Sequence, residues 1–396
     1  MRILVLNADY PRFLAWLYQS HPGLENASYA AQMAARNASL FGVADFYSRN
    51  FSASGHPAAE IHVNNSWLQS AWAREHGLPV AIAPPGADAP RALPGWLQRA
   101  VTPFKPLLRP LARKIGLSPR LDTQAETILL AQIEDFRPDL IINQDTFHVN
   151  ASLMRRIKGI GNPILIGMVG IEPSRGEDWP VYDLMMSQLS TTVNFFRNLG
   201  VRAEVNHLAF EPAILDALPA APEPDLDVSF VGTVSPDHRQ RIALLEAVAE
   251  RYDLKLFGSR PQALAASSRL HRCFQGEVWG ADMYQVLRRS RVTLNSHIDL
   301  AGREAGNMRL FEATGVGAFL LTDFKDNLHT LFEPAREVAV WGSTGDCLAG
   351  IARALADEGS RAAIAHAGQA RTMQQHTYGH RTREILEFAE QARARR

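Results

Sequence analysis

Two glutamates eight residues apart, Glu304 and Glu312, bracket Gly306 and Asn307 in a run that starts at His297 and ends at Asp323. Gly306 and Asn307 stand where a helix would begin. The free amides of its first turn and its positive dipole end can therefore receive an anion. A diphosphate is the natural guest. Glu304 lies just before that helix and Glu312 inside it, so the two carboxylates can address different parts of one elongated ligand. Ionised carboxylates only accept hydrogen bonds, and vicinal sugar hydroxyls are suitable donors. Taken alone, such a pair also fits a solvated helix face, so its meaning depends on what surrounds it.

Other groups could join this chemistry. His297 follows a strand end and is placed to contact a transferred sugar or phosphate. Asp9, Asp145, His148 and Glu172 fall at or beyond strand ends in the first half, where acceptor-side groups would face a cleft. A loop-capping role suits each of them equally. His376 and His380 have the one-turn spacing of a helical metal pair, but Gly379 weakens that helix and no acidic third ligand is adjacent. A helix-start cap or surface histidines is the better reading there. No Asp-x-Asp pair follows a strand where it could hold a divalent ion on a diphosphate. The expectation is therefore a metal-free site, with helix amides and arginine neutralising the leaving group.

The elements that must position these groups are legible as short aliphatic runs. Ile3 to Leu6, Asp139 to Asn143, Ile164 to Gly167, Val228 to Gly232, Leu254 to Gly258, Val292 to Asn295 and Ala318 to Thr322 alternate with helix-period segments. That alternation argues an α/β fold with parallel sheets covered on both faces. At 396 residues the chain exceeds what one core usually supports, so two domains are expected. The proline-rich stretch 218–225 reads as the linker. Residues 1–217 then form the first Rossmann-like domain, 226–375 the second, and 376–396 a C-terminal helix. Ligand should bind beyond the carboxyl ends of the strands.

Composition narrows the class. Lys plus Arg is 41 and Asp plus Glu is 41, so no global field draws the chain to nucleic acid or an anionic membrane. The two cysteines, Cys273 and Cys347, form no CxxC spacing. A cytoplasmic location fits best, because the amino terminus reads as a buried strand and no long apolar run occurs. The charge is uneven in one place, a proline-interrupted insertion at about 85–120. From Arg91 to Arg120 it carries seven basic residues and no acidic one. It reads as a solvated insertion. It reads alternatively as an interfacial element in which Trp96, Phe104 and Leu107 meet lipid or a lipid-linked acceptor, giving peripheral membrane contact.

Here a resemblance becomes usable. Glu304 and Glu312 match the E-x7-E pattern of GT-B glycosyltransferases, and Asn307-x-Arg309-x-Phe311-Glu312 followed by Gly315 looks like the corresponding block of the CgeB-like group. Tyr182-Asp183-Leu184, Phe196-Arg197, Leu208-Ala-Phe-Glu-Pro212, Phe230-Val-Gly-Thr233, Leu256-Phe-Gly258, Gly276-Glu-Val278 and His376-Thr-Tyr follow in the group's order. The resemblance covers roughly residues 135 to 390 and implies two Rossmann-like domains facing each other across a cleft, with the C-terminal helix returning to the first. It implies transfer of a sugar from a nucleotide diphosphate sugar, with no further cofactor, to an acceptor that is a glycan, a lipid-linked group, a protein or a small molecule. Glu312 would hold the ribose hydroxyls and Glu304 the sugar. Amides near Asn307 and Met308 would contact sugar or phosphate, the Gly232-Thr233 loop with Arg239 or Arg241 would approach the diphosphate, and Gly258 and Gly276 to Val278 would border the nucleotide. The related lysine after the phosphate loop is missing, so an arginine must supply that charge. E-x7-E enzymes usually retain anomeric configuration, which needs no strong base; inversion would need one such as Asp9 or His148. The alternatives are an epimerase or hydrolase of the same fold, and a non-catalytic sugar-nucleotide-binding module.

Overall fold

The computed structural model describes residues 1–79, 121–170, 173–174, 176–221, 223–234, 238–259, 264–265, 267–298 and 301–396. The chain divides into two compact units. Unit 1 comprises Met1–Ala38, Ala44–Val205 and Ile385–Arg396, and unit 2 comprises Ser39–Val43 and Asn206–Glu384. The basic insertion and Glu172 lie outside the described residues.

Unit 1 holds six parallel strands: β1 (Ile3–Asn7), β2 (Ala58–His62), β3 (Leu140–Asn143), β4 (Ile164–Met168), β5 (Leu184–Ser187) and β6 (Ala203–Val205). They lie in the order β2-β1-β3-β4-β5-β6. Leu4, Leu6, Ile141 and Leu165 come from the central strands and join a core with Leu153, Ile157, Val193 and Phe196 from flanking helices. Continuous aliphatic runs form such strands because both sheet faces are covered, and each fully buried aliphatic side chain contributes about 1.5–3 kcal/mol. The chain turns away in opposite directions after β1 and β3, so the topological switch point of unit 1 falls at their carboxyl ends.

Unit 2 repeats the plan with β7 (Leu226–Val231), β8 (Leu254–Phe257), β9 (Phe274–Gly276), β10 (Ser290–Leu294), β11 (Leu320–Asp323) and β12 (Ala339–Trp341). All pair in parallel, in the order β12-β11-β10-β7-β8-β9, which puts this switch point between β7 and β10.

The division falls between Val205 and Asn206, not in the proline-rich stretch 218–225. The reason is a long-range pairing. Phe210 bridges Thr377, with Phe210 N donating to His376 O at 2.9 Å and Tyr378 N to Phe210 O at 3.0 Å. A Cβ on Gly315 would lie 2.2 Å from the Phe210 ring, so that ring is packed hard onto unit 2. The C-terminal helix Tyr378–Arg393 starts in unit 2 and its residues from Ile385 onward belong to unit 1. Ile385 and Ala389 are buried there, and Arg396 donates to Asp183 Oδ2 and to Asn162 O, each at 2.6 Å. Conversely, Ser39–Val43 crosses into unit 2, where Ser39 O accepts from Ala281 N at 3.0 Å. Gly280 permits this: its φ is +50° and a Cβ there would meet Ser39 O at 1.7 Å.

Candidate functional site

At the unit 2 switch point, β7 runs out into Gly232 and Thr233, and β10 into Asn295, Ser296 and His297. Arg241, from the helix Arg239–Arg251, ties the two ends together. Its Nη1 donates to Thr233 O at 2.8 Å, its Nη2 donates to Ser296 O at 2.7 Å, and it lies over the Phe230 ring at 5.5 Å. Arg241 is buried, so it braces the crevice and holds its charge beneath it. Arg239, at the first position of the same helix, is exposed. Beside this edge, Gly232 N donates to Phe257 O at 2.9 Å and Gly258 N to Gly276 O at 2.8 Å. Gly258 has φ +151°, and a Cβ there would lie 2.2 Å from Gly232 O. Glu277 Oε1 accepts from Ser259 Oγ at 2.8 Å, and Val278 is half-buried next to it. The structure thus brings Gly232, Thr233, Gly258, Gly276 and Val278 together at the carboxyl ends of β7, β8 and β9.

The anion-receiving element is the helix Met308–Gly315. Asn307 is its N-cap and accepts from Leu310 N at 3.3 Å. The preceding loop is clamped from three sides. Asn307 Nδ2 donates to Asn295 Oδ1 at 2.8 Å, Ala305 N donates to Asn327 Oδ1 at 2.6 Å, and Gly306 N donates to His297 Nε2 at 3.3 Å. The amides of Met308 and Arg309 have no partner among the described residues, as the first turn of a helix requires. Glu312, in the same helix, is buried, with Arg309 Nη1 at 2.9 Å from its Oε2. Its Oε1 meets no partner among the described residues. Glu304 is half-buried and shares an electrostatic neighbourhood with His207.

Two groups differ from their expected roles. His297 does not point to a sugar: its Nδ1 lies 2.7 Å from Asp323 Oδ1 and its Nε2 accepts from Gly306. Both ring nitrogens are used, so it positions the loop before the helix. Burial would raise Asp323, but His297 and Lys325, whose Nζ is 3.4 Å from Oδ2, hold its carboxyl below the usual carboxylate range. His376 and His380 make structural contacts at the start of the C-terminal helix. His376 Nε2 donates to Leu331 O at 2.8 Å while its Nδ1 accepts from Arg381 at 2.9 Å, and His380 Nδ1 is 2.6 Å from Thr377 Oγ1. Burial pushes His376 down to about 4. Among the described residues no group of three or more His, Cys, Asp or Glu side chains could hold a metal ion. His207 carries no motif signal in the sequence beyond its place before Leu208-Ala-Phe-Glu-Pro212. Burial, reinforced by Arg381, pushes it down to about 4, so a neutral imidazole stands beside Glu304.

In unit 1, Asp9 is not an exposed base. It is 5% exposed, with Arg36 Nη2 at 2.7 Å from Oδ1 and His62 Nδ1 at 3.2 Å from Oδ2. Burial would raise its carboxyl, yet His62 and Arg36 hold it well below the usual range. The same network contains Glu60, which accepts from Asn7 Nδ2 at 2.9 Å and from Ser48 N at 3.2 Å. Burial pushes Glu60 up to about 8, against the lowering effect of Arg36 and Ser48. A raised acid stabilises the fold most below its unfolded value near 4.5, and that contribution is lost as pH rises toward about 8. Stability should therefore fall between pH 7 and 8 by up to about 1.4 kcal/mol and level off above. His62 is shifted downward, so its own titration acts at lower pH and leaves this window clear. Denaturant midpoints at pH 7, 8 and 9 check this; Glu60→Gln should flatten the fall, and an equally steep profile in that variant would reject the assignment.

His148 and Asp145 follow β3. His148 Nδ1 lies 2.6 Å from Asp145 Oδ2, while Asp145 Oδ1 accepts from Phe147 N at 3.3 Å and His148 N at 3.2 Å.

Comparisons with known proteins bear on the fold. A sequence-family model described as glycosyl transferase-like matches residues 239–387. No curated protein matches the chain. Among solved structures, the Anabaena protein HepE in complex with UDP-glucose is similar at TM-score 0.56 and 13% identity, covering 99% of this chain and 100% of that one. A glycosyltransferase from Rickettsia africae is similar at TM-score 0.58 and 10% identity, covering 99% and 98%. Sucrose-phosphate synthase from Thermosynechococcus elongatus follows at 0.54 and 11%, with both chains covered at 100%. The fold is GT-B, with two parallel six-stranded sheets and flanking helices. No helix among the described residues is long and apolar enough to cross a membrane.

Proposed function

We propose that the chain is a glycosyltransferase that binds a nucleoside diphosphate sugar in unit 2 and transfers its sugar to a hydroxyl of an acceptor, with no metal ion required. The observation that carries this reading is the start of the helix Met308–Gly315. It is a clamped, capped first turn with open amides, it stands beside the β7–β10 switch point, and Glu312 in the same helix keeps one oxygen open. Open amides and the helix dipole suit the diphosphate, and the carboxylate suits ribose hydroxyls. Exposed Arg239, at the first position of the helix after the Gly232-Thr233 loop, adds positive charge without a metal ion. The match of a glycosyl transferase-like family over 239–387 supports the same half of the chain as the donor side. Retention of configuration is the outcome that the E-x7-E resemblance implies, because the leaving phosphate oxygen can itself take the acceptor's proton.

The similarity to a HepE structure that holds UDP-glucose makes UDP the first nucleotide to try. A thermal-shift screen of UDP, GDP, dTDP and CDP with their common sugars should show one base family raising the midpoint. A ligand at a hundredfold excess over its Kd adds about 2.7 kcal/mol. Turnover should survive excess EDTA. Absence of stabilisation by every nucleotide would sink the reading, and activity lost on chelation and restored by magnesium or manganese would remove its metal-free part. Turnover of nucleotide sugar without any acceptor would instead favour the epimerase or hydrolase alternative.

A further inference from the structure

Unit 1 buries four ionisable side chains in one place, along its β1–β2 edge. Glu60 and His62 stand two residues apart on β2, so both side chains leave the same face of the sheet. They meet Asp9, from the turn after β1, and Arg36, from the helix Tyr29–Ala38. His62 Nδ1 lies 3.2 Å from Asp9 Oδ2, and its Nε2 lies 3.9 Å from Glu60 Oε2. None of the three side chains is more than 2% exposed, so the imidazole sits between two carboxyl groups and away from solvent. Glu60 is also the tie to two other elements, since one of its oxygens accepts from Asn7 of β1 and the other from Ser48 N. Ser48 lies in the first turn of the helix Phe46–Ala53, whose N-cap residue, Asp45, makes no side-chain capping bond. Glu60 therefore supplies a capping acceptor from β2. Yet neither ring nitrogen of His62, nor Asp9 Oδ2, has a hydrogen-bond partner among the described residues. Unmade bonds at such depth are costly.

A single proton resolves this arrangement. Asp9 and Arg36 cancel each other, so the cluster is neutral only if Glu60 and His62 together keep one proton beyond the ring's own. Burial and Arg36 push His62 down, while burial pushes Glu60 up to about 8, so the proton belongs on the carboxyl. A small rotation then lets the Glu60 hydroxyl donate to Nε2, while Nδ1 carries the ring hydrogen toward Asp9 Oδ2. All three unpaired atoms are satisfied at once. Two further ionisable groups face Glu60. Asp45 is paired with Arg49 at 2.9 Å, and burial, with Glu60 and Glu75, pushes Tyr29 up to about 12, so neither exchanges protons near neutrality. We propose that Asp9, His62 and Glu60 form a one-proton latch on the β1–β2 edge: the proton on Glu60 closes it through His62, and loss of that proton favours opening of the helix Phe46–Ala53. The loss would leave two carboxylates on either side of a neutral ring with only Arg36 to balance them, a buried charge that water must cover. This device is independent of the chemistry proposed for unit 2. Its sign follows from linkage: opened to water, Glu60 titrates near 4.5, so between about pH 5 and 8 the open form has lost a proton that the closed form keeps. Opening should become about tenfold easier per pH unit across that window, and no easier above it.

Amide hydrogen exchange on the whole chain, corrected for the intrinsic effect of pH, tests the opening. Protection of residues 46–53 should fall about tenfold per pH unit from roughly pH 5 to 8 and then level off. Glu60→Gln keeps the size and an acceptor oxygen but cannot titrate, so its protection should not vary with pH. The amides of β4 should remain better protected than those of 46–53 at every pH. Ring ¹⁵N signals of His62, linked through bonds to its backbone, test the proton itself. In the parent they should show a protonated Nδ1 and a lone-pair Nε2 at pH 7, with the Nε2 signal stepping near pH 8; in Glu60→Gln the step should vanish. That step separates a proton shared with His62 from Glu60 acting alone. Should Glu60→Gln fail to fold, the parent's exchange profile and ring signals still decide. A flat profile over 46–53, equal protection of 46–53 and β4, a ring protonated on both nitrogens at pH 7, or an Nε2 signal without the step each overturns the latch.

Discussion

Glu312→Ala should weaken UDP binding by roughly ten- to a hundredfold, because a hydrogen bond to a charged group contributes about 1.5–3 kcal/mol. The loss should be equal for free UDP and for UDP-glucose, since ribose is common to both. Glu304→Ala should behave differently: its proposed partner is the sugar, so UDP affinity stays nearly intact while turnover drops or the choice of sugar blurs. The structure adds a condition to this contrast. Glu312 is buried and pairs with Arg309, whose Nε has no partner among the described residues, so removing the carboxylate strands a guanidinium in a sheltered place. Glu312→Ala must therefore be shown folded by its melting curve before its affinity is read. Glu312→Gln, which keeps an acceptor oxygen but loses the ion pair, should fall between the parent and the alanine variant. Calorimetric titration with UDP and UDP-glucose decides the matter; if both alanine variants bind UDP like the parent, the roles given to the two glutamates are wrong.

What the sequence could and could not convey follows from how far apart the interacting partners lie. β1, β3, β4, β7, β8, β10 and β11 announce themselves because buried parallel strands need aliphatic residues on both faces. β2 does not. Its Glu60 and His62 look like surface residues until Asn7, Ser48 and Asp9 are brought to them from other elements. The three-residue strands β6, β9 and β12 stand at or near sheet edges and are too short to set a pattern. The glycines at the ends of β7, β8 and β9 and the capped helix were legible as backbone features, because constraints of that kind act within a few residues. The chemistry of single side chains was not. His297 looks like a sugar ligand until Asp323 and Gly306 occupy its ring, and Asp9 looks like a base until Arg36, on the helix Tyr29–Ala38, pairs with it. The proline run at 218–225 suggested a boundary on local grounds, yet the pairing of Phe210 with Thr377 carries the preceding segment into unit 2.

Gly258→Ala should cost stability on the order of 3 kcal/mol or more and abolish UDP binding in whatever fraction still folds. Two separate penalties combine at this residue. Its φ of +151° is a conformation that side-chain-bearing residues avoid, and the added Cβ would lie 2.2 Å from the carbonyl oxygen of Gly232. That oxygen is backbone, so no flexible side chain can swing aside. Relief requires β8 to move away from the end of β7, and Gly232 N already donates to Phe257 O there. A shift of Gly232 carries Thr233 with it and disturbs the carbonyl held by Arg241, which is why the stability defect should appear in the donor site. Gly276→Ala provides the comparison. Gly276 lies on the neighbouring strand with φ +103°, but a Cβ there would meet nothing within 4 Å. It should show backbone strain alone, about 1–3 kcal/mol, with UDP binding largely kept in the folded protein. Melting curves of both variants with and without UDP measure the difference. Should Gly258→Ala prove no worse than Gly276→Ala, the close approach of β8 to the Gly232 turn cannot be what shapes this edge of the site.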